Sequence, residues 1–250
     1  MRIAIVGYGR MGHEVEAVAA ARGHDITARI DPAAPDAADQ QATPDTLNGA
    51  DVAIEFSLAD AIEKNASAYA GAGISAVVGT TGWDDRKDTI AAIVNRAGIA
   101  YVHGSNFSIG AHIFFALTQY VSGILNEAPE YDIFLREIHH AMKQDSPSGT
   151  ALTAADRVIR TLARKNRVMT ETAHRKIESD ELHVTSSRGG SVPGVHSVYV
   201  DSAADTIEIH HTARSRAGFA LGAVRAAEWI RDRRGFIGVD DFIRDILRLQ

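Results

Sequence analysis

The densest chemistry in the chain lies between Arg136 and Ala151, in the run REIHHAMKQDSPSGTA. Two adjacent imidazoles, His139 and His140, are followed by the ammonium of Lys143, and Pro147-Ser148-Gly149-Thr150 opens a stretch with helical apolar spacing through Leu152, Ala155, Val158, Ile159 and Leu162. At a helix start, Ser148, Gly149 and Thr150 offer hydroxyls and backbone N–H groups that no turn of helix satisfies, a combination suited to a carboxylate. Lys143 and the histidines add positive charge and can hand over a proton. The segment therefore reads as an anion site with a proton donor beside it.

A second constellation stands at the N-terminus. The apolar run Ile3 to Val6 ends at Gly7-Tyr8-Gly9-Arg10-Met11-Gly12. After a strand, the first glycine permits a tight turn, the second lets backbone approach a pyrophosphate, and the third allows close packing of the following helix. The helix start then presents free N–H groups and a positive dipole end to the phosphates. Asp31 closes the next apolar segment 19 residues beyond Gly12, close to the spacing of the acid that binds the adenosine ribose. A carboxylate accepts from a 2′-hydroxyl and repels a 2′-phosphate, and Pro32-Ala33-Ala34 brings no arginine to recruit one. NADH is the cofactor expected to be preferred, with Arg10 in the glycine loop leaving NADPH possible. Gly79-Thr80-Thr81-Gly82 and Ser105-Asn106-Phe107 follow later apolar runs, at the edge where ligands bind in open α/β sheets.

The elements that must hold these groups alternate. Strand-like runs at Ile3 to Val6, His24 to Ile30, Val52 to Phe56, Ile74 to Val78 and Ile99 to His103 are separated by helical patterns. Such alternation predicts right-handed βαβ units and a parallel sheet with both faces covered. After Asn106 the texture changes to a long helix from Ile109 to Leu125, a strand from Tyr131 to Ile138, a helix from Ala151 to Ala163, and β-type alternation from Leu182 to Thr212. Helices at Phe219 to Arg231 and Phe242 to Leu249 close the chain. The expected architecture is α/β: a Rossmann-type parallel-sheet domain over residues 1–106, an α+β substrate-binding domain with a mixed or antiparallel sheet over 107–213, and helices 214–250 returning to the first domain.

Composition narrows the partners. The net charge of −6 over 250 residues argues against nucleic acid and anionic membrane, both of which demand basic surface. Without a single cysteine there are no disulfides, thiolate metal sites or cysteine nucleophiles, which fits a cytoplasmic protein. No stretch approaches the ~20 apolar residues of a membrane helix. His210-His211 suggests a metal site with His139-His140, but strand alternation lets each pair aim only one ring in one direction, and no metal is expected.

The central run closely resembles the signature of the dihydrodipicolinate reductase family, Glu-x-His-His-x-x-Lys-x-Asp-x-Pro-Ser-Gly-Thr-Ala. The resemblance spans the chain, through the glycine loop, Gly79-Thr80-Thr81-Gly82, Asn106-Phe107-Ser108, Arg188-Gly189-Gly190, Pro193-Gly194-x-His196, and His211 with Arg216 and Phe219. The glycine loop is the short form seen in some members, and Glu55-Phe56-Ser57 stands where Asp-Phe-Thr is common.

The resemblance implies hydride transfer from NAD(P)H to a dihydrodipicolinate-type dicarboxylate, giving tetrahydrodipicolinate in diaminopimelate and lysine synthesis. It implies His139 and Lys143 as the catalytic pair, with Lys143 the preferred proton donor and His139 the alternative donor or the orienting group. His140, Lys143, Ser148, Gly149 and Thr150 would hold the substrate carboxylates. Gly7, Tyr8, Gly9, Arg10, Met11, Gly12, Asp31, Gly79, Thr80, Thr81, Gly104, Ser105, Asn106 and Phe107 would hold the cofactor. A homotetramer is expected, as the family packs the second domain's sheets together. Two rival readings are another two-domain dehydrogenase of a small dicarboxylate, which leaves the HHxxK run without a purpose, and an NADH-binding sensor, which needs no proton donor.

Overall fold

A computed structural model describes residues 1–248. The chain forms two compact units, one of residues 1–109 with 216–250 and the other of residues 110–215.

The first unit is built on a six-stranded sheet. Strands β1 (Arg2–Val6), β2 (Asp25–Ile30), β3 (Val52–Glu55), β4 (Ser75–Val78), β5 (Ala100–His103) and β11 (Gly235–Gly238) run parallel in the order β11-β5-β4-β3-β1-β2. Helices α1 (Arg10–Ala21), α2 (Ile62–Ala72), α3 (Lys87–Ala97), α6 (Ala217–Trp229) and α7 (Val239–Leu247) cover it. Successive strand residues point to opposite faces, so both must be apolar. Ile3 and Ile5 of β1 pack with Val15, Ala19, Ala223, Ala227 and Phe242 from α1, α6 and α7. Ala4 and Val6 face the other way, onto Ile62, Ala66, Tyr69, Ile90 and Val94 from α2 and α3. Both α2 and α3 stop at glycines in the left-handed region, Gly73 (φ 68°) and Gly98 (φ 66°), where a side chain would be strained.

The strand order reverses at β1, with β2 on one side and β3 on the other, which is where open α/β sheets bind ligands. The C-terminal segment belongs to this unit: Glu228 of α6 accepts two guanidinium hydrogen bonds from Arg22, each 2.8 Å, and lies 2.8 Å from His24 Nε2. Strand β11 is absent from the sequence reading, because four residues bounded by Gly235 and Gly238 carry too little pattern to betray a strand. The expected end of the last helix at Leu249 lies outside the described residues.

The second unit is a five-stranded mixed sheet. Strands β6 (Asp132–His139), β7 (Arg167–Met169), β8 (Glu181–Arg188), β9 (Val195–Asp201) and β10 (Thr206–Thr212) lie in the order β10-β9-β6-β8-β7. β9 runs antiparallel to β6 and β10, whereas β8 is parallel to β6 and β7. One face is buried under α4 (Ile109–Ile124) and α5 (Gly149–Thr161), with Phe114, Phe115, Ala154 and Val158 packed on Ile133, Leu135, Val184, Val198 and Val200. The inward row of β6 starts as core, Ile133 and Leu135, and continues as Glu137 and His139. The inward row of β9 likewise passes from Val200 and Val198 to His196. Polar chemistry is thus held at the end of an apolar layer. Among the described residues no helix is long and apolar enough to cross a membrane.

Candidate functional site

In the first unit the three glycines of the loop differ in what surrounds them. Gly7 has φ 87°, and a Cβ there would stand 2.2 Å from the carbonyl oxygen of Phe56. At Gly12 a Cβ would lie 2.5 Å from the carbonyl oxygen of Gly7, so the helix start packs directly on the turn. Around Gly9 nothing lies within 4 Å of that position. Two glycines therefore close the turn, and the middle one leaves open space in front of the α1 N-terminus, as a phosphate group requires.

Asp31 ties this loop to the end of β2. Its carboxylate accepts from the Tyr8 N–H at 2.8 Å and from the Ala33 and Ala34 N–H groups at 2.8 and 3.0 Å. Three backbone donors hold its orientation, while its lone pairs leave room for one further donor. Beside it a cavity of about 690 Å³ is lined by Tyr8, Gly9, Arg10, His13, Asp36 and Arg216, among others. His13 stacks on Tyr8 at 4.3 Å and places its ring nitrogens 2.8 Å from the Gly9 carbonyl and from Asp36 Oδ2. Those two partners, the Gly9 carbonyl first, raise the His13 pKa. Arg10 is exposed at the mouth and Met11 half-buried.

The other expected cofactor residues follow along the carboxyl edge of the sheet. A Cβ on Gly79 would strike the ring of Phe56 at 2.1 Å, so Phe56 is wedged between Gly7 and Gly79. Thr80 Oγ1 accepts from the Ser57 N–H at 2.8 Å, and its carbonyl accepts from the Trp83 indole at 2.7 Å; Thr81 is exposed. Gly104 lies against Val239, which a Cβ would meet at 2.3 Å. Ser105 is exposed, and Asn106 Oδ1 accepts from the Ser108 N–H at 2.9 Å. Phe107 is 1 % exposed and joins the core beneath α6, so its ring is packed away from the sheet's carboxyl edge. His103 stacks on Phe236 at 4.2 Å, and burial, with Lys87 nearby, pushes its pKa down to about 4. The open space at Gly9, the helix start behind it and the adjoining cavity fit a dinucleotide.

In the second unit the signature segment folds around Glu137. Its carboxylate is fully buried and shared: Oε1 accepts from Arg188 Nη2 at 2.8 Å and from the Ser148 N–H at 3.3 Å, and Oε2 pairs with His139 Nδ1. Burial works to raise the Glu137 pKa, but the Arg188 guanidinium and His139 outweigh it and hold the group below the usual carboxylate range. An ionised carboxylate only accepts, so His139 Nδ1 carries the proton and Nε2 is left as the reactive nitrogen. Burial lowers the His139 pKa, with Glu137 opposing and Lys143 and Arg188 assisting. His139 is therefore a neutral, oriented imidazole at neutral pH. A Cβ on Gly194 would come within 2.9 Å of its Nε2.

Ser148 caps α5. Its Oγ accepts from the Ala151 N–H at 3.2 Å and lies 3.0 Å from His196 Nε2, and the residue is 2 % exposed. The hydroxyl expected for a carboxylate is thus already engaged. The first-turn N–H groups without intrahelical acceptors belong to Gly149 and Thr150. Lys143 Nζ pairs with Asp145 Oδ1 at 2.8 Å, on a loop that Arg188 Nη2 secures through the Asp145 carbonyl at 2.6 Å. The His140 N–H donates to the Val192 carbonyl at 2.8 Å.

The sequence reading assigned no role to Glu137, Arg188 or His196. Glu137 was within reach of it, since residues two apart on a strand share a face. Arg188 and His196 lie 51 and 59 residues from Glu137 in the chain and arrive only through the pairing of β8 and β9 with β6. One ring from each histidine pair does turn to a common face, with His196 between them: His139 to His196 is 5.1 Å and His196 to His211 is 6.2 Å.

Comparison with known proteins places these features in context. Residues 1–107 match the model described as dihydrodipicolinate reductase, N-terminus, and residues 110–243 that described as dihydrodipicolinate reductase, C-terminus. A 4-hydroxy-tetrahydrodipicolinate reductase from Christiangramia forsetii is 38% identical over 250 residues, covering 99% of this chain and 100% of the relative. One from Natronomonas pharaonis is 37% identical over 243 residues, covering 93% and 96%. Among solved structures, the dipicolinate-bound dihydrodipicolinate reductase from Paenisporosarcina sp. TG-14 shares the fold, with a TM-score of 0.76 over 95% of this chain and 97% of that one at 17% identity.

Proposed function

The chain belongs to the dihydrodipicolinate reductase family of NAD(P)H-dependent oxidoreductases, and from that membership we propose how its own residues divide the reaction. Hydride passes from NAD(P)H to the electrophilic ring carbon of the dihydrodipicolinate-type intermediate, and tetrahydrodipicolinate is formed for diaminopimelate and lysine synthesis. The first unit holds the cofactor through Gly7 to Gly12, Asp31, Gly79 to Thr81 and Gly104 to Phe107. The second holds the substrate.

The observation that carries the division of roles is the Glu137–His139 pair at the foot of α5. Gly149 and Thr150 N–H groups receive one substrate carboxylate at the helix start, Ser148 holding that start in shape. His140 and Lys143 face the second. Once the ring carbon has accepted hydride, the electron-rich nitrogen–carbon system needs a proton. Lys143 delivers it, because an ammonium always has a proton to give whereas His139 is held neutral. His139 Nε2 then acts as the acceptor that orients the ring. NADH is the preferred cofactor: Asp31 at the end of β2 and Asp36 on the cavity wall bring negative charge beside the glycine loop, which disfavours a 2′-phosphate.

The same reading makes the protein a cytoplasmic homotetramer joined through the mixed sheet. Support comes from the sheet's outer face, where Phe134, stacked on Tyr199 at 4.9 Å, is exposed. The test is oxidation of NADH and of NADPH in parallel with freshly generated substrate, with light scattering for the assembly. Turnover lost in Lys143→Ala with NADH binding intact supports the assignment. Full turnover in that variant would remove Lys143 from the chemistry, and an NADPH preference would overturn the reading of the two aspartates.

A further inference from the structure

The Glu137 network holds a second set of chemical possibilities that proton transfer does not use. Glu137 and His139 share the inward face of β6, and the antiparallel register sets His196 of β9 directly opposite Glu137. One donor atom from each of the three lies within 4.8 Å of the others, and the residues are 0 %, 7 % and 5 % exposed. His196 adds an independent sign. Its Nε2 meets Ser148 Oγ, but its buried Nδ1 has no hydrogen-bond partner among the described residues. A buried nitrogen without a partner costs free energy that an ion could recover.

We propose that Glu137, His139 and His196 form a binding site for a divalent transition-metal ion of the zinc class, and that filling it inhibits the reductase. Two imidazoles and a carboxylate are the donor set of three-ligand zinc sites, in which water or another ligand takes the fourth position. Tetrahedral ligands at about 2.1 Å from zinc stand roughly 3.4 Å from one another, so donor atoms now within 4.8 Å of one another must rearrange, His196 drawing in and the direct Glu137–His139 contact opening to admit the ion. Side-chain torsions on two paired strands supply that movement without shifting the register. Nitrogen donors favour zinc, cobalt, nickel or copper over magnesium and calcium. Arg188 and Lys143 add positive charge nearby and weaken the site, so micromolar binding rather than the tight grip of a structural zinc follows. Inhibition rests on the function proposed above, because the ion takes His139 out of the reaction.

The experiment uses the untagged full-length chain with cobalt(II) chloride, followed by its visible absorption, and with zinc(II) chloride in the NADH-oxidation assay. One cobalt per chain is expected, displaced by zinc, together with micromolar zinc inhibition that chelator reverses and magnesium does not reproduce. In His196→Ala and His196→Gln the half-saturating cobalt concentration should rise at least tenfold, as loss of a supporting group alone costs metal sites about 10–100-fold. NADH binding by each variant reports that it has folded. Cobalt binding that is absent, or unchanged in both variants, overturns the site while leaving the reductase reading intact. Cobalt binding lost in both variants of a protein without reductase activity supports the site and overturns the function instead.

Discussion

The glycine loop and the β6–α5 segment solve the same problem, fixing groups around an anion, with different materials. The loop works with backbone. Its fixed points are the Gly7 turn, the Gly12 contact and the N–H groups that converge on Asp31, and its packing requires the absence of a side chain at Gly7 and Gly12. The β6–α5 segment works with side chains. Glu137, Arg188, His139, Ser148 and His196 form one connected network, four of them buried, drawn from three strands and a helix start. A backbone device is local and tolerates change around it. A buried polar network is all or nothing, because each lost partner leaves another unsatisfied.

The comparison breaks most readily at its chemical end. Lys143→Ala should lower kcat by about 10²–10⁴-fold with NADH affinity unchanged, the range for loss of a positioned proton donor. Stopped-flow binding beside steady-state rates checks it, and an equal loss of NADH affinity would show that the two regions are not separable.

Glu137→Gln comes next. The amide keeps the shape, yet it removes the charge that raises the His139 pKa against burial. The expected outcome is a fall in kcat of roughly tenfold to a hundredfold and a shift of the His139-dependent limb of the pH–rate profile to lower pH. A uniform loss of rate with an unmoved profile would reduce Glu137 to packing.

The glycines sharpen the backbone half. Gly7→Ala combines a φ of 87° with a contact of 2.2 Å, and should cost about 3 kcal/mol or more in denaturant unfolding. Gly9→Ala meets open space, so its stability should stay within about 1 kcal/mol while NADH affinity falls. Equal destabilisation of the two would contradict the division of roles among the glycines.

The smallest effect concerns pH. The His103 pKa is depressed to about 4 in the fold, against about 6.5 unfolded. Between those values the unfolded chain binds the extra proton, so stability rises with pH through that window. The contribution is complete above the unfolded pKa and is lost as pH falls toward 4, the loss reaching about 2 kcal/mol at about pH 5. His103→Phe should flatten the acid side of a plot of melting temperature against pH by a few degrees; an unchanged plot would mean that the ring protonates in place.

Local pattern carried much of this molecule. Continuous apolar strands, helical spacing and the glycine loop are written in neighbouring residues, so the parallel sheet, the α5 start at Gly149 and the place of Asp31 at the end of β2 were legible. Strand β11 was not, since pairing with β5 rather than its own composition makes it a strand. Nor was the close approach of the Phe107 carbonyl to α6, which depends on Gly222 more than 100 residues away.

The candidate site divides the same way. Its residue types, His139, His140, Lys143 and the Ser148-Gly149-Thr150 helix start, follow from sequence alone, because adjacency and helix capping act within a few residues. The tertiary structure decided what those residues can do. Register between β6, β8 and β9 brings Arg188 and His196 to Glu137, where Arg188 and His139 hold the carboxylate ionised against burial and the carboxylate sets the tautomer of His139. Desolvation and long-range pairing have no counterpart in a linear pattern, since both depend on what the rest of the chain packs against the group.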